Sequence, residues 1–343
     1  MDKEQDTEIS KKKPNYPLGN GLRGYLQEYG RARTLPVMYE DLLYFEGTVS
    51  VYDKYGRDTL WETAMYRQPD LAALHEGLKR IYSILKAGGE SPEHMQHLHI
   101  ERIDYCTFGN SHPFRIRIVN NFNDNYDYFY IKKADASRVY GLELEHILSP
   151  SRMNYFTDRS TLVEEHIAGI PGDQFIQSYM ENPGFNKVRI AKEFVKFNER
   201  CFVRLLGDMR SYNYVFDITP DFEEVQFRIR AIDFDQQSYE GKKNVYLPQF
   251  FKENNPLVQL VRELLSPGNI EQYKKEERAL ILRRSQAARQ QLNALLEHME
   301  TDTLSSPQKL EQLRTELAAF YADKSFLDCQ SMGALVKRSL EQL

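Results

Sequence analysis

Between Leu42 and Arg67 apolar and polar residues alternate in two runs, LLYFEGTVSVYD and TLWETAMYR, joined by Lys54-Tyr55-Gly56-Arg57-Asp58. Period two, rich in Val, Tyr, Phe, Thr and Trp around a Gly-Arg-Asp turn, predicts a β-hairpin. The period then lengthens. Leu71, Leu74, Leu78, Ile81 and Leu85 recur at helical spacing between Pro69 and Gly88-Gly89, which predicts an amphipathic helix with both stop signals in place. SPEHMQHLH follows as a linker, and alternation returns near Leu98. Ile103–Thr107, FRIRIVN (Phe114–Asn120) and YDYFYIKK (Tyr126–Lys133) read as three strands, the last two joined by the turn NFNDN.

Ala136–Leu148 has a helical pattern that Ser149-Pro150 ends. MNYF and TLVEEHI, with a polar turn at Asp158-Arg159, add two more strands. Beyond Gly169 the chain turns mostly helical. DQFIQSYMEN and NKVRIAKEFVKFNERCF are helices separated by Pro183-Gly184, and NYVFDIT and FRIRAIDFD form a strand pair turning at Pro220-Asp221. From Pro256 onward, Leu/Ala/Glu/Gln/Arg segments broken at Ser266-Pro267-Gly268 and Ser305-Ser306-Pro307 predict long helices. No repeat of fixed period is present.

The chain has 343 residues, enough for two or three globular units. A net charge of -5 provides no global field for a polyanion, so nucleic acid is not an expected partner. No apolar run approaches the roughly 20 residues of a membrane helix, and the mean hydropathy is -0.61. The charged N-terminus lacks a secretory h-region and reads as a disordered tail over residues 1–15. Three widely spaced cysteines, Cys106, Cys201 and Cys329, suit a reducing compartment. A soluble, cytoplasmic protein is expected.

The segment Leu205-Leu206-Gly207-Asp208-Met209-Arg210-Ser211-Tyr212-Asn213, followed by Ile232-Asp233-Phe234-Asp235, carries the most chemistry. An Asp and an Asn five apart, with further Asp residues at the end of the next strand pair, can converge on one point. Phosphoryl transfer needs that set: one carboxylate to orient and deprotonate a hydroxyl, and an amide and carboxylate to hold Mg²⁺ on the phosphates. An Asp five before an Asn arises about once by chance in a chain of this length. The bland alternative is a loop Asp and a turn-forming Asn.

With the upstream strands and helix in order, the chain resembles the protein-kinase-like superfamily, most closely its aminoglycoside phosphotransferase and choline kinase branch. The resemblance covers roughly Leu98 to Tyr239. Leu206-Gly207-Asp208 through Asn213 is similar to the family's H-G-D-x-x-x-x-N, with leucine in place of histidine. It implies that Asp208 is the catalytic base, Asn213 a metal ligand, Asp233 the main Mg²⁺ ligand and Asp235 a second one. In Tyr130-Ile131-Lys132 it implies that Lys132 reaches the ATP phosphates while Tyr130, two residues earlier and on the same strand face, covers the adenine. Lys133, on the more apolar Phe129-Ile131 side, is the rival. The lysine's helix partner is Glu143 or Glu145, which point about 200° apart on a helix, with Glu143 preferred. Gly109-Asn110-Ser111 resembles a phosphate loop, although taken alone an ordinary hairpin turn is the better reading of it. LVEEHIAGIPGD resembles the hinge, where the C=O of Glu165 and the N–H of Ile167 would bind the adenine edge.

The expected architecture is therefore α+β and bilobal, with a β-rich N-lobe and a mostly helical C-lobe. Residues 16–95 form an N-terminal α+β extension, 96–168 the N-lobe and hinge, and 169–343 the C-lobe. The implied activity is an ATP- and Mg²⁺-dependent phosphotransferase acting on a hydroxyl of a small molecule. The rivals are a protein kinase and a nucleotide-binding pseudokinase or scaffold that meets a protein partner through its extension. No A-P-E segment follows Asp235, against an ordinary protein kinase. His94, His97 and His99 read as polar linker positions rather than metal ligands.

Overall fold

Turn and cap residues cut the chain where the computed structural model, which describes residues 13–53, 55–87, 96–108, 111–220 and 225–343, ends its elements. Lys54, Gly88-Gly89, His94, Gly109, Asn110, Asp221 and most of the N-terminal tail lie outside the described residues. The chain divides into two compact units.

The sheet unit comprises residues 17–135 and 153–166. Its elements are α1 (Asn20–Glu28), α2 (Tyr39–Leu42), β1 (Gly47–Tyr52), β2 (Asp58–Met65), α3 (Gln68–Ala87), β3 (Leu98–Cys106), β4 (Phe114–Asn120) and β5 (Tyr126–Lys133). After an excursion of the chain, β6 (Tyr155–Asp158) and β7 (Thr161–Glu165) complete it. The seven strands form one antiparallel sheet in the order β1-β2-β3-β4-β5-β7-β6. One face is apolar. Phe114, Ile116, Phe129, Ile131 and Val163 lie there under Leu42 of α2 and Leu78, Ile81 and Leu85 of α3, all buried. Each large apolar side chain so buried contributes about 1.5–3 kcal/mol.

The sequence reading divides the chain at residue 95. The hairpin β1-β2 belongs to the sheet, with Trp61 opposite Cys106 and Thr63 opposite Asp104, and α3 covers the same core. The described residues from 17 to 87 therefore share one β-rich unit with β3–β7. Alternation explains why: a half-apolar hairpin and an amphipathic helix each need a second apolar face to bury against.

The helical unit comprises residues 1–16, 136–152 and 167–343. It begins with α4 (Ala136–Leu148), which was expected to belong with the strands around it. Twelve of its thirteen residues are buried, and it packs on α8 and α9. Then come β8 (Ile170–Pro171), α5 (Gly172–Ser178), α6 (Lys187–Val203), β9 (Tyr214–Pro220) and β10 (Val225–Ala231). These three strands form a small sheet in the order β10-β9-β8. The chain closes with α7 (Asn255–Leu264), α8 (Pro267–Ala287), α9 (Arg289–Thr301), α10 (Pro307–Tyr321) and α11 (Met332–Leu340). The Ser-Pro breaks are N-terminal caps: the Ser266 hydroxyl accepts from Asn269 N and that of Ser306 from Lys309 N, each with proline in the first helical turn. No helix among the described residues is long and apolar enough to cross a membrane. The α+β class agrees with the sequence reading.

Candidate active site

In the helical unit, α6 stops at Val203 and the chain reverses through Leu205 and Asp208, both in the left-handed region at φ 53° and 59°. Gly207 N donates to Gln236 O (3.3 Å) and Asp208 N to Val245 O (3.2 Å). A Cβ at Gly207 would lie 3.0 Å from Gln236 O and 3.1 Å from the Val245 side chain, so these neighbours favour glycine before Asp208. Leu206 is buried in the core.

The loop is tied from within. Asn213 Nδ2 donates to Asp208 O at 2.7 Å, and Asn213 O accepts from Ile232 N at 3.0 Å, at the end of β10. Asn254 Nδ2 donates to Met209 O. Asp208, Asn213, Asp233 and Asp235 are thus held on one connected stretch of backbone. The Asp208 carboxylate accepts from Arg210 Nε at 3.0 Å, and Arg210 Nη1 donates to Glu253 at 2.7 Å. Burial and the facing Asp233 carboxylate push the Asp208 carboxyl up to about 7, against the pull of Arg210. Its side chain remains 20% exposed, so solvent still reaches it.

Asp233 and Asp235 meet a cation that the sequence reading did not single out. Arg138 Nη1, from the first turn of α4, donates to Asp233 Oδ1 at 2.9 Å and to Asp235 Oδ1 at 2.5 Å. The Arg138 side chain is 2% exposed. Helix α4 approaches closely enough for this because residue 141 is glycine: a Cβ there would stand 3.0 Å from Phe234 Cβ and 3.1 Å from Gln237 Cβ. Ser137 Oγ also donates to Gln237 O. The one clue in the sequence is an arginine within a helix whose other positions are largely apolar, which requires a counter-ion.

The implied Mg²⁺ ligands can be tested against this arrangement. One guanidinium nitrogen lies within hydrogen-bond reach of an oxygen from each carboxylate, at the point where an ion bridging both would sit. Among the described residues no group of three or more His, Cys, Asp or Glu is placed to hold a metal ion. As arranged, the Asp233/Asp235 pair fits a guanidinium and not a divalent ion.

In the sheet unit, period two places Tyr130 and Lys132 on the face opposite the apolar core. Lys132 is buried there, whereas Lys133 is exposed. Lys132 Nζ donates to Glu164 Oε2 at 2.8 Å and lies 5.5 Å from the Tyr130 ring centroid. Within this unit, then, the lysine's carboxylate comes from the neighbouring strand β7. In the helical unit Glu143 accepts from Gln291 Nε2 at 3.3 Å, and Glu145 is bound by Arg204. Burial alone would raise the Glu145 carboxyl; Arg204 holds it below the ordinary range. The signal for Glu164 lay in strand pairing, since Lys132 opposes Leu162 and Glu164 is its diagonal neighbour on the same face.

Across that face, Asp104, Arg115, Tyr130 and Glu164 stand in register. Arg115 forks onto Asp104 at 2.8 and 3.2 Å and lies 4.3 Å over the Trp61 ring. Tyr130 OH bonds His166 Nδ1 at 3.2 Å. Ser111 is partly buried in the turn between β3 and β4, which Cys106 N closes onto Pro113 O at 3.0 Å; Gly109 and Asn110 lie outside the described residues. Glu165 ends β7 with its carboxylate on Asn154 N (2.7 Å) and Nδ2 (3.2 Å), and Ile167 is buried in the helical unit.

No protein-family model matches the chain, and no curated protein matches it. Among solved structures it is similar to the autoinhibited serine kinase domain of the giant muscle protein titin, at 14% identity and a TM-score of 0.28, over 73% of this chain and 81% of that one. Titin kinase with its flanking domains gives 13% identity and the same TM-score, over 73% of this chain and 55% of that one. Scores of this size do not establish a common fold.

Proposed function

We propose that this protein is a kinase-like phosphotransferase in which Asp208 accepts the proton of a hydroxyl as that oxygen takes a phosphoryl group from a nucleotide. The observation that carries this reading is the loop itself. Asp208 sits in a left-handed turn pressed between the chain at Gln236 and Val245, and the Asn213 amide fixes its carbonyl. A base so placed is preorganised, and a carboxyl lifted to about 7 can take a proton near neutrality. The resemblance further implies that Lys132, near the end of the third strand of the run β3–β5, would meet nucleotide phosphates, with the Tyr130 ring beside it for a base.

ATP as the donor and a small hydroxylated molecule as the acceptor follow from the resemblance to the aminoglycoside phosphotransferase and choline kinase branch. The test is transfer from γ-labelled ATP to a panel of such alcohols, with wild type against Asp208→Asn. Labelled product from the wild type, lost in the variant, supports the reading; equal labelling by both, or none by either while ATP still binds, refutes it. The Arg138 contact favours a second reading, a nucleotide-binding pseudokinase. There ATP binds, and Asp208→Asn changes no activity.

A further inference from the structure

Arg138 is nearly inaccessible, its Nη1 touches both Asp233 and Asp235, and it reaches them from a helix seated on that segment through Gly141 and Ser137. A guanidinium cannot lose its charge in a protein, and its fork geometry suits carboxylates. We infer that Arg138 is the resident cation of this acidic pair, standing where a kinase-like site would place a divalent metal, so that nucleotide phosphates are bound without one. The last part rests on the nucleotide reading above; the first does not.

Two features argue that the contact is built rather than incidental. A lone surface arginine would bring its charge at little cost, but this one is buried in a helix whose neighbours Val139, Tyr140 and Leu142 are core residues. Burying such a charge is unfavourable unless it is paired and hydrogen-bonded. The acidic segment is also shaped around its own turn, with Asp235 N donating to Asp233 Oδ1 at 3.0 Å. The same Asp233 oxygen thus receives a backbone amide and the guanidinium. Two donors already engage it, which weakens it as a ligand for a small, strongly hydrated cation that demands near-ideal octahedral geometry.

The test is titration of the nucleotide-free full chain with Mn²⁺, followed by loss of the free-ion EPR signal, in wild type, Asp233→Asn, Arg138→Gln and the double variant. The wild type is expected to bind no more Mn²⁺ than Asp233→Asn does. Arg138→Gln is expected to gain about tenfold or more in affinity, and Asp233→Asn in that background to remove the gain. Saturable wild-type binding that Asp233→Asn abolishes overturns the inference, as does a folded Arg138→Gln that gains nothing. Should Arg138→Gln fail to fold, wild type against Asp233→Asn decides alone. A parallel thermal-shift titration with ATP in EDTA separates the two readings. ATP stabilisation unaffected by EDTA supports metal-free nucleotide binding, and stabilisation abolished by EDTA overturns it. No shift with or without Mg²⁺, beside the expected Mn²⁺ result, refutes the nucleotide reading and leaves Arg138 as the cation.

Discussion

Two of the buried ion clusters, Lys132/Glu164 on the sheet and Arg138/Asp233/Asp235 beneath α4, bury a cation in different ways. On the sheet a single cation meets a single carboxylate, both nearly inaccessible, across adjacent strands. Beneath α4 a single cation is shared by two carboxylates, of which Asp233 keeps 36% of its side chain exposed. A ligand-dependent site usually leaves charge for its ligand to neutralise. Here Lys132 already holds a carboxylate, and Asp233 and Asp235 already hold a guanidinium. Asp208 differs from both, because its neighbour Asp233 raises its proton affinity while Arg210 offsets only part of that effect. The chemistry that remains open is that of the base.

The largest effect is expected of Arg138→Gln, which takes the buried guanidinium away from Asp233 and Asp235. We expect a loss of roughly 3 kcal/mol, the low end for a broken buried pair because Asp233 is partly exposed, read as a drop in the denaturant midpoint. Lys132→Met should cost about 3 kcal/mol as well, and adding Glu164→Gln should restore most of it, since the ammonium then no longer balances a buried carboxylate. If the double variant is no better than Lys132→Met, the pair is not the reason for the burial.

Asp208→Asn tests the odd member. The folded carboxyl holds its proton to about 7, whereas an unfolded aspartate releases it near 3.9. Between those values the folded chain binds more protons, so stability falls as pH rises through the window and levels off above it. The asparagine variant should lack that slope and be more stable than wild type by about 2 kcal/mol at pH 8. Turnover in the wild type should climb as pH rises through about 7, where the base becomes free. Gly141→Ala should have a smaller effect, a net loss of about 1 kcal/mol, because the crowding against Phe234 exceeds the gain in helix propensity. Lys133→Ala, at an exposed position, should change stability by less than about 0.5 kcal/mol.

Local signals made most of the fold legible. Ser149-Pro150 and the apolar run before it gave α4 its bounds, and the NFNDN turn and period-two runs gave β4 and β5. The aspartates and the asparagine of the loop were visible because they lie within one short motif and one strand pair. What stayed hidden was set by contacts between distant positions. Trp61 and Cys106 become neighbours only through sheet register, which is why residues 16–95 read as a separate module. Glu164 meets Lys132 diagonally from the next strand, and Arg138 meets Asp233 from 95 residues upstream. Helix α4 follows strand β5 in the chain yet groups with the helical unit, a choice made by packing on α8 and α9 that no local pattern encodes.

Calorimetric titration of the full chain with ATP, once in EDTA and once in Mg²⁺, decides whether the proposed nucleotide binding needs a divalent ion. Saturable binding with the same affinity in both buffers is expected; binding confined to the Mg²⁺ buffer, or heat of dilution alone in both, would overturn the proposal.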